Sequence, residues 1–228
     1  MNLAQAGRLL DPKPMPLETG FERLESGVLH VAVRTDMHRC TGAMLDWWFG
    51  TRMNTQHYVW WHPIDHIASS WIEGASGTAV GAIHLAEERF TDRPAEQLSI
   101  QFRDPVEVFD AQALANARQA GGVSCVLVAR GGQGHPARRT PDGAVIGTRL
   151  IHVGRDTPWG MALRTHFFLG HDLAELGMPR SEIEHIFPDV QGPNLLQHAY
   201  DEFTFLSRFL PSLYAAENRE TIPVKAPW

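Results

Sequence analysis

Residues 191–216 carry the longest helical pattern in the chain, and what precedes them reads mainly as short strands. Leu195, His198, Ala199, Glu202, Leu206, Phe209 and Leu210 recur there at three- and four-residue spacing, the period of a single helix face. Pro193 or Asn194 suits the start of this helix. Pro211 should bend or interrupt it, because proline lacks a donor and crowds the preceding turn. Alternating or β-prone segments at 24–34, 79–90, 97–103, 123–129, 144–153 and 159–169 predict strands. A turn at 91–94 makes the second and third of them a hairpin, and 156–158 turns between the last two. Residues 37–49 predict a helix that Thr35 or Asp36 caps and Gly50 ends, and 65–71 a short helical turn. Residues 106–120 read as a helix or an edge segment, 131–143 as a polar loop, and 170–188 as irregular with short helices. The sum is α+β: an antiparallel sheet curved around one long C-terminal helix.

A chain of 228 residues fits one domain. Pro12, Pro14 and Pro16 mark 1–20 as an extended lead-in to a single domain over 21–228. A net charge of −6 argues against nucleic acid or an anionic membrane as partner. The longest apolar stretches, such as 124–129, are too short to span a bilayer. No basic segment followed by an apolar one opens the chain, so a cytoplasmic location is expected. Cys40 and Cys125 are too few for a disulfide framework and lack metal-pair spacing.

Twelve histidines are many for such a chain, and histidine is both the commonest metal ligand and an acid or base near neutral pH. His198 and Glu202 lie four apart and share a helix face with Leu195 and Leu206. An inward carboxylate needs a partner. A bound cation provides one; solvation at the core boundary is the simpler alternative. His171 and Glu175 repeat the spacing between Gly170 and Gly177, where a solvated surface turn is the plainer reading. His62-Pro63-Ile64-Asp65-His66 could supply a ligand on a proline-fixed backbone, with Asp65 capping a helix or orienting a histidine. Glu87 and Glu88 point to opposite faces of their strand, so one of them can face inward. Nitrogen and carboxylate donors without cysteine suit zinc, iron(II) or manganese.

Taken in order, Trp47-Trp48-Phe49-Gly50, Tyr58, Trp61-His62-Pro63-x-x-His66, the strand glutamate, and His198-x-x-x-Glu202 with Phe205-Leu206-x-x-Phe209-Leu210-Pro211 resemble the 2,4-diacetylphloroglucinol hydrolase family. Phloretin hydrolase is a relative of that family. The resemblance runs from about residue 24 to residue 214. It implies a helix-grip (Bet v 1-like) domain and one divalent metal, zinc first, with iron and manganese as alternatives. It implies hydrolysis of the aryl-ketone carbon–carbon bond of an acylphloroglucinol-type substrate to a carboxylic acid and the free phenol. Carried over by position, the metal ligands are His66, Glu88, His198 and Glu202. Glu88 is preferred to Glu87 because Arg89-Phe90 follows it. Tyr58 matches a substrate-contacting tyrosine and is a catalytic candidate, and His62 is an acid/base or ligand-orienting candidate. Ser69 occupies a substrate-contact position where the family can carry asparagine. The resemblance also suggests a homodimer. Two other classes stay open on the residues alone: a non-catalytic carrier of aromatic ligands, and a mononuclear non-haem iron oxygenase. The substrate itself and the native metal are not legible.

Overall fold

The prolines at 12, 14 and 16 keep 11–19 out of regular structure, but the residues before them form a 3-10 helix, Leu3–Leu10, that buries Ala6, Leu9 and Leu10. The computed structural model describes residues 1–51, 53–72, 74, 77–90 and 94–221. After the 3-10 helix come β1 (Gly20–Arg23) and β2 (Leu29–His38), then α1 (Gly42–Gly50) and α2 (Thr55–Trp61). β3 (His66–Ile72), β4 (Ile83–Glu88) and β5 (Glu96–Arg103) follow, then a 3-10 turn and α3 (Ala111–Gln119). β6 (Cys125–Gln133), β7 (Thr148–Thr157) and β8 (Gly160–Leu169) lead to α4 (His171–Glu175), α5 (Arg180–Ile186) and α6 (Gln191–Glu217).

Among the described residues the strands form one antiparallel sheet, ordered β1-β2-β8-β7-β6-β5-β4-β3. The expected α+β arrangement is observed, with the sheet packed against the long C-terminal helix. The β4–β5 hairpin pairs as expected, Ile83 opposite Gln101 and Glu88 opposite Glu96; residues 91–93 of its turn lie outside the described residues.

The sheet is covered on both faces, and β6 makes the reason visible. Cys125, Leu127 and Ala129 pack with Trp48, Phe203 and Leu206 on the α6 side. Val126 and Val128 pack with Leu9, Phe109 and Leu114 beneath the N-terminal 3-10 helix and α3. A strand with two dry faces has no polar alternation to show, which is why this stretch is apolar throughout. On α6, Ala199, Phe203, Leu206 and Leu210 face the sheet.

Several element boundaries differ from the sequence reading. The strand expected over 24–34 begins only at Leu29, and a turn at Gly27, whose φ of +88° favours glycine, separates it from β1 upstream. β2 continues to His38, so the helix after it starts later, with the Thr41 side chain accepting from the Met44 N–H. The segment expected as a helical turn at 65–71 is strand β3, because Pro63 ends helical structure just upstream. The polar loop expected from 131 begins later, since β6 runs through Gly131 and Gly132. α6 continues through Pro211. The carbonyl of Ser207, which proline leaves without its helical donor, instead faces the Cys40 Sγ at 3.9 Å.

Three histidines are buried in this sandwich away from any carboxylate within bonding distance: His84 and His152 on the α6 side, and His166 on the other. His166 bonds His30 at 2.9 Å beneath the N-terminal helix. Burial holds them far below the usual 6.5, His84 and His166 at about 3 and His152 at about 4. The native state therefore keeps them neutral while the unfolded chain protonates near pH 6.5. Their contribution is complete above that pH and is lost as pH falls toward 4, at about 1.4 kcal/mol per group per pH unit. The thermal midpoint should fall across pH 6.5–4, and His166→Gln should make that slope shallower. Identical slopes for both proteins would overturn the assignment.

Candidate metal centre

α2 positions the first donor, His66 at the start of β3. The Asn54 side chain accepts from the His57 N–H at 3.0 Å and starts the helix; Pro63 prevents its continuation. The Tyr58 carbonyl near its end accepts twice, from the His62 N–H at 3.2 Å and from His66 Nδ1 at 2.9 Å. The second bond fixes the His66 tautomer and turns Nε2 away from the backbone. The Tyr58 ring lies flat on the imidazole, centroids 3.7 Å apart. His66 pairs directly across the sheet with Glu88, so both side chains leave the same face. From the opposite side, α6 lowers His198 and Glu202, one turn apart.

The four meet. Glu88 Oε2 lies 3.5 Å from His66 Nε2 and 3.8 Å from His198 Nε2. Glu202 Oε2 lies 3.7 and 3.9 Å from the same two nitrogens. Donors about 2.1 Å from a tetrahedral centre stand roughly 3.4 Å from each other, close to these spacings. His66 Nε2 is buried and has no hydrogen-bond partner among the described residues, a costly state for a nitrogen with a free lone pair. His198 Nδ1 is held by Asp65 Oδ2 at 2.9 Å, and Glu88 accepts from the Tyr58 hydroxyl at 2.5 Å. Each imidazole thus has one nitrogen anchored and one directed at the centre. Of these, His66, His198 and Glu202 form a group that could hold a metal ion, and His62, Asp65 and His198 form a second, overlapping one.

The charges point the same way. Burial pushes the Glu202 carboxyl up to about 8; His198 opposes this, and the carboxylates of Glu88 and Asp65 add to it. Burial alone would lower His198, but the Asp65 hydrogen bond and the carboxylates of Glu88 and Glu202 carry it up to about 9. His66 is held well below its ordinary range by burial and by His198. Burial, then Glu88, keeps the Tyr58 phenol well above 10, so it stays protonated. Protons on His198 and Glu202 balance the buried carboxylates; a divalent cation supplies the same charge from the centre.

A cleft in two chambers opens beside the cluster. The inner one, about 60 Å³, is lined by His198, Glu202, Tyr58 and aromatic residues. The outer one, about 350 Å³, is largely apolar and carries Phe90, Phe167 and Phe187 on its walls. Glu88 lines both.

The remaining sequence candidates fall in different places. Glu87 leaves the opposite face of β4 and is not in the cluster. His62 stacks on His198 with centroids 4.7 Å apart, accepts from the Asp65 N–H at 3.0 Å, and lines neither chamber. Burial and His198 bring it down to about 4. Ser69 also lines neither chamber: its hydroxyl bonds His84 Nε2 at 2.9 Å and the Met53 carbonyl at 3.1 Å. His171 and Glu175 pair at 3.2 Å with the glutamate exposed, and Asp172 between them is engaged by Arg149 at 2.6 Å. That group reads as a surface turn anchored by an ion pair. The sequence reading passed over His84 and His152, both on the inner chamber wall. His84 shares its strand face with Glu88 at two-residue spacing, a signal that could have found it.

The α+β fold thus brings buried imidazoles and carboxylates that could hold a metal ion together beside an aromatic cleft. The chain belongs to the DAPG hydrolase PhiG domain family, whose profile matches residues 1–215. Two relatives, each named 2,4-diacetylphloroglucinol hydrolase, come from a Pseudomonas species and from Pseudomonas protegens. Both are 24% identical over 234 residues, an alignment covering 93% of this chain and 76% and 73% of theirs. Among solved structures, protein Ms6760 from Mycobacterium smegmatis overlays with a TM-score of 0.44 and 8% identity, over 91% of this chain and 99% of that one. Among the described residues no helix is long and apolar enough to cross a membrane.

Asp65 sets the ring of His198 through its bond to Nδ1. Asp65→Asn should keep the fold and weaken zinc affinity roughly 10–100-fold, as loss of such anchors commonly does. Competition titration with a chromophoric chelator measures this, and unchanged affinity would remove Asp65 from the site.

Proposed function

We propose that this chain is a metal-dependent hydrolase cleaving the carbon–carbon bond between an aromatic ring and its ketone carbonyl in acylphloroglucinol-type substrates. The products are a carboxylic acid and the free phenol. The observation that carries the reading is the convergence of His66, Glu88, His198 and Glu202 in a member of this hydrolase family. We take the sheet and α6 as a helix-grip domain over 21–228, with 1–20 as its lead-in. Two nitrogens and two oxygens at near-tetrahedral spacing favour zinc, with iron(II) or manganese as alternatives. When bound, the cation supplies Lewis acidity.

The residues divide the remaining work. Hydrolysis puts the oxygen of water on the acyl carbon and a proton on the ring carbon as the bond between them breaks. Tyr58, protonated throughout the neutral range, lines the inner chamber; its one O–H donates to Glu88 and would serve a substrate oxygen by turning from that carboxylate to it. Asp65 holds the His198 ring; His62, stacked behind it, steadies the same ring, and any acid–base role for His62 acts through His198. Ser69 bears on substrate through His84, which it bonds. Phe90 and Phe167, which line both chambers, are placed to stack on the aromatic ring. The apolar walls keep bulk water from the site.

His198→Ala and Glu202→Ala should each lose bound metal and turnover together, as read by elemental mass spectrometry and by acid release from acylated phloroglucinols. Full metal content with full turnover in both variants would overturn the ligand set. Tyr58→Phe should keep its metal and lose turnover by on the order of 100-fold. Unchanged kinetics would take Tyr58 out of the reaction.

A further inference from the structure

His84 is a polar group set in an apolar wall. It is 2% exposed and lines the inner chamber beside Phe49, Trp61, Ile100 and Phe102. Trp71 stacks on its ring at 4.6 Å, and the Tyr58 ring meets it edge-on at 5.0 Å. The imidazole cannot turn without displacing both. Its Nε2 lies 2.9 Å from the Ser69 hydroxyl, which also lies 3.1 Å from the Met53 carbonyl. A hydroxyl has one proton to give, and a carbonyl can only accept. Both bonds therefore form together only when Ser69 donates to Met53 and accepts from a proton on His84 Nε2. Burial keeps this ring neutral, and a neutral imidazole protonated at Nε2 carries its lone pair on Nδ1. Among the described residues Nδ1 has no bonding partner.

We propose, resting on the hydrolase reading above, that His84 is a specificity-determining residue: its Nδ1 accepts a hydrogen bond from one hydroxyl of the bound substrate, and Ser69 is the positioning residue that fixes the tautomer able to do so. An unpaired acceptor in an apolar wall is costly, and a ligand hydroxyl relieves that cost. A ketone, an ether or a carboxylate brings no proton and would set one lone pair against another. The reacting carbonyl is thus turned away from His84 and a ring hydroxyl toward it. Tyr58 bonds Glu88 and also abuts His84, so a phenol donor and a fixed acceptor stand side by side on one wall. Ser69 lines neither chamber and acts only through the ring it holds.

The test uses the full chain loaded with zinc and 2,4,6-trihydroxyacetophenone beside its 2,4- and 2,6-dihydroxy analogues, each lacking one hydroxyl. Calorimetric affinity and kcat/KM are recorded for the unsubstituted protein and for His84→Phe, which keeps a flat ring and removes its nitrogens. Comparing the same pair of ligands in two proteins cancels the ligands' own reactivity. In the unsubstituted protein, loss of one particular hydroxyl should weaken binding roughly 10–100-fold, the usual effect of stranding a buried polar group. His84→Phe should bring that ratio close to one with metal content unchanged. Ser69→Ala should lower the ratio, and Ser69→Thr, which keeps the hydroxyl, should preserve it. If His84→Phe does not fold, the two Ser69 variants decide. An undiminished ratio in His84→Phe, equal ratios in the two Ser69 variants, or no preference for any hydroxyl in the unsubstituted protein would overturn the proposal. If no ketone is cleaved, the hydrolase reading fails, and the affinity ratios alone decide the role of His84 by the same comparison.

Discussion

The whole arrangement depends on carboxylates being held away from water. Asp65, Glu88 and Glu202 are all buried, and removing an ion from water costs several kcal/mol even after the protein relaxes. The cost is bearable because Asp65 holds a His198 that stays charged, Glu88 accepts from the Tyr58 phenol, and Glu202 is pushed toward its protonated form. These groups come from α2, from the turn after it, from β4 and from α6. The cluster therefore forms only when the helix is seated in the sheet and the turn at Pro63 is made.

The second layer of the fold serves this requirement indirectly. The N-terminal 3-10 helix and α3 dry the far face of the strands, so the sheet is anchored by packing on both sides. A wall held in that way can keep an open cleft on its α6 side without collapsing into it. Gly132 shows how tightly the strands and the connection after β6 are drawn: a Cβ there would meet Val145 Cγ1 at 2.7 Å and Ala137 Cβ at 2.8 Å.

What the sequence made legible follows from periodicity. α6 carries its period over many turns, so His198 and Glu202 could be placed on one inward face before any coordinates. The β4–β5 hairpin was readable by alternation. α2 was not, because Tyr58-Val59-Trp60-Trp61 is short and aromatic and has no room to show a period; its signal was the cap, Asn54. The start of β3 was hidden for the same reason. Neighbouring glutamates in a strand point opposite ways, but only pairing says which one faces in. His66 opposite Glu88 settles their shared face, and no single strand contains that information. Gly131 and Gly132 read as loop because glycine usually marks one, whereas here crowding by Leu150, Val145 and Ala137 demands it within a strand.

Among the described residues β3 is the last strand of the sheet, with its register shifting between His66 and Ala68 and with the Thr55 hydroxyl bonding both the N–H and the C=O of Ser69. An edge strand offers unpaired backbone groups to any other chain it meets. His66 opens this edge, and its partners Glu202 and His198 belong to the helix the sheet packs against. A cation shared among them would tie the sheet's margin to the helix packed against it, so its binding free energy would count toward holding β3 in place.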